Sequence, residues 1–196
     1  MSRIFKIFVI GFILLSASAT YAKERIIVID VSHGGKDDGI EVDGFREKDL
    51  TLEIALKVQN LNKTDNLKII LTREGDYFLS LADRIDFIKS VNPDFVISLH
   101  INSSTDSSQH GFDLFVRPIN EFNDHSNEFA RKIENSLSNH FWSNGIKESN
   151  FYILKNINIP SATLEFGYLT NKEDRNILTT EIGQQKIAEA IYNVLK

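Results

Sequence analysis

His33, Glu47 and His100 are the three residues of this sequence whose types and positions best suit chemistry. His33 comes shortly after one apolar run, His100 closes another, and Glu47 begins a predicted helix. Ligands of open α/β sheets bind beyond the carboxyl ends of the strands, where residues distant in sequence can meet. Two histidines and one carboxylate hold a metal and leave one position for water. The metal would lower the pKa of that water towards about 7, which makes hydroxide available at neutral pH.

A fourth candidate, Glu165, follows the predicted buried strand 161–164. An acid at a buried strand end is costly without a partner, which favours a functional role. Each residue also has an ordinary interpretation. His33 would be a loop histidine in a Gly-Gly turn, His100 a hydrogen-bonded strand-end histidine, Glu47 a carboxylate that complements the helix dipole, and Glu165 an ion-paired acid. The predicted position of all four at one edge of one sheet favours a shared site.

The sequence also predicts roles for several other residues. Asp30 is a candidate acceptor for an imidazole N–H, which would fix the orientation of a metal-binding ring. Lys48 is interpreted as a solvated residue, and Trp142 as part of the core. His125 and His140 have polar surroundings that are typical of surface residues.

Strand and helix signals alternate after residue 25, which predicts an α/β layered domain rather than a sandwich or a helical bundle. The helical spacing of apolar residues predicts the helices. Ser80 and Asp83 form a capping pair that predicts the start of the second one. The predicted strands cover residues 26–29, 67–71, 95–99, 111–116, 151–154 and 161–165. The predicted helices cover residues 48–62, 80–92, a segment through Phe129 and Phe141 that ends near Ser143, and a C-terminal segment through Ile187 and Val194.

The first 22 residues have the features of an export signal. Arg3 and Lys6 give a basic start, the apolar stretch 7–15 follows, and small residues continue to Ala22, after which we expect cleavage. The apolar stretch is short for a membrane-spanning helix, which needs about 20 apolar residues, so an uncleaved anchor is the weaker alternative. We therefore expect a mature domain of residues 23–196, located in the periplasm or outside the cell.

The composition excludes several classes of protein. The chain has no cysteine, so disulfides and attachment through a lipid-modified cysteine are impossible. Loss of the two positive charges of Arg3 and Lys6 takes the net charge from −5 to −7, and no basic cluster is present, which disfavours nucleic acid as a partner. The mature length suits one domain, and no linker, repeat or low-complexity tract indicates a second. We expect a monomer without a stable membrane anchor.

Four sequence blocks agree in order and spacing with a known family. The blocks are Ile-Val-Ile-Asp-Val-Ser-His-Gly-Gly-Lys at 27–36, Arg-Glu-Lys-Asp at 46–49, Ile-Ser-Leu-His-Ile-Asn at 97–102, and Ile-Pro-Ser-Ala-Thr-Leu-Glu-Phe-Gly-Tyr-Leu-Thr-Asn at 159–171. From about Arg25 to the C-terminus, the chain resembles the zinc-dependent N-acetylmuramoyl-L-alanine amidases, the type 3 amidases of bacterial cell-wall metabolism.

The resemblance implies a three-layer α/β domain whose central mixed sheet of about six strands is flanked by helices. It implies that His33, Glu47 and His100 bind Zn²⁺ and that Glu165 is the catalytic acid/base. The implied substrate is peptidoglycan. Zinc-activated water would hydrolyse the amide bond between N-acetylmuramic acid and the L-alanine of the stem peptide.

The sequence departs from the family at Val31 and Ser32, where Ala-Gly is usual, and at Phe166, where threonine is usual. These departures leave the substrate preference open. Division-associated members of the family carry an extra helix that blocks the zinc until a partner displaces it. Here the predicted helix ending near Ser143 uses most of residues 117–150, so we expect a site that is open without an activator.

Three other functions are compatible with the same residues. Two histidines and one carboxylate also describe non-haem Fe(II) oxygenases, although those sites have no required role for Glu165. A zinc carboxypeptidase acting on wall peptides would share the metal chemistry and differ in the shape of its pocket. A non-catalytic, zinc-bearing wall-binding module would retain the metal without turnover, and an intact Glu165 argues against it.

Overall fold

The computed structural model describes residues 24–118 and 122–196, so the predicted export signal lies outside the described residues. The elements in chain order are β1 (Arg25–Val31), β2 (Glu41–Val42), β3 (Phe45–Arg46), α1 (Glu47–Leu61), β4 (Leu67–Leu71), α2 (Leu81–Val91), β5 (Phe95–Asn102), β6 (Phe112–Val116), α3 (Asn123–Leu137), β7 (Ser143–Glu148), α4 (Tyr152–Asn156), β8 (Ser161–Tyr168), α5 (Lys172–Thr179) and α6 (Glu181–Leu195).

Six strands form one mixed sheet in the order β4-β1-β5-β8-β6-β7. Strands β4, β1, β5 and β8 are parallel, β6 runs antiparallel to β8, and β7 runs parallel to β6. The carboxyl ends of the first four strands therefore lie at the same edge of the sheet as the starts of β6 and β7. Strands β2 and β3 pair separately as a short antiparallel ribbon just before α1.

Helices cover both faces of the sheet. Side chains of α1, α3 and α6 pack in the larger apolar core against β1, β5, β6 and β8. The smaller core joins α2 and α4 to the other face, through residues such as Ile88 and Ile153. Successive strand residues point to opposite faces, so Ile27 of β1 joins the larger core and Val28 the smaller one. This three-layer arrangement around a six-stranded mixed sheet confirms the predicted fold class.

Local signals predict the first half of the chain well. Helix α1 starts one residue before its predicted start, and β4 has its predicted bounds. Ser80 and Asp83 form the capping box of α2, and Asn92 ends that helix in the left-handed conformation, φ 50°, directly before Pro93. Strand β5 continues beyond the predicted end at residue 99, so His100 lies within the strand.

The region after α3 differs from the prediction. Helix α3 ends at Leu137 rather than near Ser143, and residues 143–148 form the edge strand β7. Phe141 continues the helical spacing, but its ring packs edge-on against Phe166 from outside the helix, with 4.9 Å between centroids. The sequence does not predict β7, because the residues of this edge strand are partly or fully exposed and show no apolar alternation.

The predicted strand at residues 151–154 is also wrong, because Tyr152–Asn156 form the short helix α4. Ile153 and Leu154 are its buried residues. A short apolar run fits either a strand or one helical turn, so packing against the sheet decides between them. Helix α5 is absent from the sequence prediction, although Asn171 caps it by accepting hydrogen bonds from two backbone N–H groups.

Candidate active site

The fold brings His33, Glu47 and His100 together at the carboxyl edge of the sheet. His33 follows β1, Glu47 is the first residue of α1, and His100 lies near the end of β5. Nε2 of His33 lies 3.1 Å from Oε2 of Glu47, and Nδ1 of His100 lies 3.0 Å from Oε1 of Glu47. One potential ligand atom from each side chain lies within 4.8 Å of the other two. The three side chains can therefore hold one metal ion.

Glu47 is the buried centre of this group, with 2% of its side chain exposed. Its carboxylate also accepts hydrogen bonds from the backbone N–H groups of Ile40 and Ile101, both at 3.1 Å. Burial alone would raise the pKa of Glu47, but hydrogen bonds to His100 and His33 lower that pKa well below its ordinary value. Glu47 is therefore anionic and can act as a negatively charged ligand.

Asp37, rather than the predicted Asp30, lies beside a ring nitrogen of His33. Oδ2 of Asp37 is 2.9 Å from Nδ1 of His33, within ion-pair distance. Asp30 instead accepts hydrogen bonds from Arg84 and from Ser98, both at 2.8 Å, and contacts neither histidine ring. The prediction for Asp30 is wrong because its carboxylate is occupied by Arg84, Ser98 and Thr72 in the layer between the sheet and α2.

Two buried arginines hold the chain that leads to His33, and the sequence analysis did not identify this role. Arg73 donates to the backbone carbonyls of Val31 at 3.2 Å and Ser32 at 2.7 Å. Arg84 donates to the carbonyls of Val31 and His33. His33 has a left-handed backbone, φ 56°, which a non-glycine residue adopts only at a cost. The arginines stabilise this conformation by binding the carbonyl oxygens around it.

Lys48 is buried and ordered rather than solvated as predicted, with 5% of its side chain exposed. Its ammonium donates to the carbonyl of Gly35 at 2.7 Å and forms ion pairs with Asp38 at 2.7 Å and Asp76 at 3.2 Å. Asp76 in turn accepts the N–H of Gly35 at 2.7 Å. Lys48 therefore ties the loop after His33 to the start of α1, which carries Glu47.

Gly39 leaves room beside the side chains of His33 and Glu47. A Cβ atom at Gly39 would lie 2.6 Å from Oε2 of Glu47 and 2.7 Å from Cδ2 of His33, and its backbone has φ 66°. Only glycine fits this position. Imidazole nitrogens with a carboxylate are a donor set that Zn²⁺ prefers, so the residues present fit the metal that the resemblance implies.

Glu165 faces the same site from the neighbouring strand. It pairs in register with His100 of β5 and, on its other side, with Asp113 of β6. Burial raises the pKa of Glu165, Glu47 and Asp113 add to this rise, and His100 opposes it. An open cavity of about 310 Å³ is lined by Glu165 together with all three potential metal ligands. The carboxyl group is thus placed to exchange protons with a molecule bound in this cavity, and its raised pKa favours the protonated form more than in a free carboxyl group.

The three departures from the family lie in packed positions. Val31 is fully buried in the larger core. Ser32 lies 3.4 Å from the carboxylate of Glu47 through its hydroxyl. Phe166 packs in the larger core, with its ring stacked on Phe112 at 6.1 Å between centroids. The aromatic ring beside the catalytic candidate therefore points to the opposite face from Glu165.

Replacement of Arg84 by alanine should destabilise the fold strongly. Arg84 and Asp30 form an ion pair at 2.8 Å in which 3% and 2% of the two side chains are exposed. Removing one partner leaves a buried charge uncompensated, which typically costs about 3–5 kcal/mol. We expect a loss of this size in the free energy of unfolding, measured by urea titration. The matched control is Lys132→Ala, which breaks an ion pair with 60% exposure on both sides and should leave stability nearly unchanged. An equal loss in both variants would contradict the structural role of Arg84.

Comparisons with known proteins agree with this site. A family model described as N-acetylmuramoyl-L-alanine amidase matches residues 27–196. The chain is 31% identical to Uncharacterized protein YqiI of Bacillus subtilis, over 93% of this chain and 91% of that protein. It is also 31% identical to the N-acetylmuramoyl-L-alanine amidase CwlM of Bacillus licheniformis, over 86% of this chain and 66% of that protein. It spans only 34% of the amidase LytC of Bacillus subtilis.

The fold has close relatives among solved structures. The crystal structure of the N-acetylmuramoyl-L-alanine amidase from Clostridium difficile 630 superposes with a TM-score of 0.83 and 29% identity, over 88% of this chain and 95% of that chain. A structure of the CwlD amidase from Clostridioides difficile, bound to the GerS lipoprotein, gives a TM-score of 0.80 and 30% identity. The family match covers nearly all the described residues. The chain therefore belongs to the N-acetylmuramoyl-L-alanine amidase family, as its sequence motifs indicated, and this membership supports amidase activity on peptidoglycan.

Proposed function

We propose that this protein binds one Zn²⁺ ion through His33, Glu47 and His100 and uses Glu165 to hydrolyse the bond between N-acetylmuramic acid and L-alanine in peptidoglycan. The observation that supports the proposal most is the single open cavity lined by all four side chains. When bound, zinc would supply a Lewis acid that acidifies water and polarises the carbonyl of the substrate.

Glu165 performs the proton transfers in this proposal. One of its carboxylate oxygens accepts a proton from the attacking water and then delivers it to the amine nitrogen of the departing L-alanine. A pKa raised by burial suits both steps, because the group must accept and release a proton near neutral pH. The side chain is fixed on β8 between His100 and Asp113, so it needs little reorganisation during the reaction.

Other residues of the chain orient the ligands. Asp37 lies beside Nδ1 of His33, the ring nitrogen that does not face Glu47, and backbone N–H groups of Ile40 and Ile101 hold the carboxylate of Glu47. Hydrogen-bonding neighbours of metal-binding residues set the orientation and the basicity of those residues. The positions of the ligand atoms are thus largely determined before any metal binds.

The alternative functions receive less support. Family and fold both match amidases, which disfavours an Fe(II) oxygenase. A zinc carboxypeptidase would cut between stem-peptide residues and leave the muramyl amide intact. A non-catalytic wall-binding module would not need the half-buried Glu165 in the same cavity as the potential metal ligands.

We also propose that the protein acts outside the cytoplasmic membrane, since peptidoglycan lies there. Residues 1–22 would be the export signal, and residues 23–196 the mature monomeric domain with peptidoglycan as its substrate. Within the described residues, no helix has the length and apolar character needed to cross a bilayer.

Purified mature protein should digest peptidoglycan without an added activator. The side chains of His33 and His100 retain 23% and 30% exposure, so the site is open to solvent. The described parts of residues 117–150 are used mainly by α3, which covers the sheet, and by β7 within it. We expect mass spectrometry of the products to show stem peptides with a free N-terminal L-alanine and glycan strands without peptides.

Two results would contradict this expectation in different ways. Products shortened at the carboxyl end of the stem peptide would identify a carboxypeptidase. An inert protein that becomes active when a partner is added, or when part of residues 117–150 is deleted, would show that the site is regulated. A Glu165→Gln sample provides the matched inactive control for background hydrolysis.

A further inference from the structure

Trp142 is the most exposed aromatic residue among those that the structure describes, with 66% of its surface accessible. It does not belong to the core, so the prediction for Trp142 is wrong. It directly precedes β7, at the edge of the sheet where the candidate active site lies. A large aromatic ring held out in solvent at this edge is available for binding a ligand.

The backbone around Trp142 is tightly held. Its carbonyl accepts the N–H of Phe112 at 2.9 Å, and the ring of His110 packs edge-on against the indole, with 5.9 Å between centroids. Asn144 fixes His110 by donating to its carbonyl at 2.9 Å. A Cβ atom at Gly111, where φ is 87°, would lie 2.3 Å from the Trp142 carbonyl oxygen, so only glycine permits this approach. The indole is thus presented by a preorganised support, which reduces the entropic cost of binding.

A cavity of about 180 Å³ lies beside the indole. It has room for one sugar ring, and its lining combines Trp142 and Phe166 with the polar side chains of His110, Glu173 and Asp174. An aromatic surface with a few polar groups suits a sugar, whose C–H face can stack while its hydroxyls form hydrogen bonds. The two acids disfavour the anionic carboxylates of a stem peptide and can accept hydrogen bonds from neutral hydroxyls.

These side chains are a poor alternative metal site. Among the residues that the structure describes, the ligand atoms of His33, Glu47 and His100 converge, whereas those of His110, Glu173 and Asp174 form no such group. The cavity is therefore interpreted as a site for an organic ligand.

The cavity lies at the same edge of the sheet as the candidate active site, on the face of β8 to which Phe166 points. The N–H of Gly167, two residues beyond Glu165, donates to the carbonyl of Gly111 at 3.1 Å, and Trp142 is hydrogen-bonded to the adjacent Phe112. Two strand spacings separate β8 from β7, which amounts to about 10 Å. A neighbouring sugar of a glycan strand held at Glu165 would reach this distance.

We propose that Trp142 and its cavity bind a neutral N-acetylated sugar of the glycan strand, next to the muramic acid whose amide is cleaved. This inference rests on the proposed function for the identity of the polymer. It assigns a glycan-binding subsite that would select polymeric peptidoglycan over small muramyl peptides.

Trp142 is the only tryptophan of the chain, so intrinsic fluorescence reports on this cavity directly. We would titrate the metal-free mature protein with tetra-N-acetylchitotetraose, an oligosaccharide without peptide. A saturable change in tryptophan emission is expected, together with no change on addition of the free dipeptide L-alanyl-D-glutamate. The absence of a saturable response to the sugar would overturn the proposal, as would an equal response to the dipeptide.

Replacement of Trp142 tests whether the sugar subsite contributes to binding of polymeric peptidoglycan. Trp142→Ala should raise KM for polymeric peptidoglycan roughly tenfold, as truncation of an aromatic anchor commonly does, and leave kcat on a single-sugar muramyl peptide unchanged. Trp142→Tyr retains an aromatic face for stacking, so its KM for polymeric peptidoglycan should remain close to that of the unsubstituted protein. The matched control is Ile182→Ala, which removes another apolar side chain of high exposure, 72%, from α6.

An unchanged KM in Trp142→Ala would overturn the proposal, and so would a rise of equal size in Ile182→Ala. If Trp142→Ala fails to fold, His110→Ala replaces it, since this variant keeps the fluorophore and should weaken sugar binding. The fluorescence titration requires neither zinc nor turnover. Sugar binding without amidase activity would therefore refute the proposed function alone, whereas activity without sugar binding would refute this inference alone.

Discussion

Removal of bound metal should abolish amidase activity, and added Zn²⁺ should restore it. His33, Glu47 and His100 converge within 4.8 Å, and the cavity that they line with Glu165 contains no lysine or arginine to replace the charge of a cation. Without that charge, neither the attacking water nor the substrate carbonyl is activated sufficiently. The measurement is peptidoglycan digestion after dialysis against a chelator, with metal content determined on the same sample.

Substitution of the proposed metal ligands should remove bound zinc and activity together. His33→Ala and His100→Ala should reduce bound zinc from one equivalent to near zero and abolish activity with it. Asp37→Asn should weaken zinc binding roughly 10–100-fold, the usual effect of removing the partner of a metal-binding histidine. His125→Ala is the matched control because His125 is exposed and distant from the ligand group. Full activity in a sample shown to be free of metal would refute a metal-dependent reaction.

The sequence predicts the candidate site better than it predicts the second half of the fold. His100 and Glu165 follow short apolar runs that are typical of buried strands, and parallel strands place their carboxyl ends at one edge. The position of each residue therefore follows from the local pattern and from topology. Strand β7 and helix α4 lack this kind of pattern, and their conformations depend on packing against the sheet.

Side-chain partners could not be predicted from the local pattern. Asp30 is close to His33 in sequence, which suggested a hydrogen bond to its ring, but Asp30 pairs with Arg84 from α2 instead. Lys48 lies beside Glu47 and is nevertheless buried, because Asp38 and Asp76 approach it from two other loops. Contacts of this type join segments far apart in sequence, so they follow from the tertiary fold alone.

The exposure of Trp142 also could not be predicted from the local pattern. Lys48 was expected to be exposed and is buried, whereas Trp142 was expected to be buried and is exposed. Tryptophan is highly buried on average, so the sequence analysis interpreted Trp142 as part of the core. The chain leaves α3 at Leu137, and Phe141 turns inward to Phe166 while the next residue turns outward. A shift of a few residues in the end of one helix thus converts a predicted core residue into a candidate binding surface.

Glu165→Gln should lower turnover roughly 10²–10⁴-fold, the usual contribution of a general acid/base. The amide is nearly isosteric with the carboxyl group, so we expect the fold and the bound zinc to be retained. Asp113 and His100 remain beside the substituted residue in the sheet, so the local packing should change little. The measurements are the initial rate of peptidoglycan digestion, the zinc content and the free energy of unfolding of the same preparation.

The three measurements assign the role of Glu165 because each possible role predicts a different combination. A general acid/base loses turnover and keeps zinc, whereas a metal ligand loses both. Near wild-type turnover with full zinc content would exclude Glu165 from the reaction. Glu128→Gln provides the matched control, since it makes the same change at an exposed carboxylate on α3. Glu165 is half-buried and lines the same cavity as His33, Glu47 and His100. Loss of turnover with retained zinc is the one combination that agrees with proton transfer by its carboxylate.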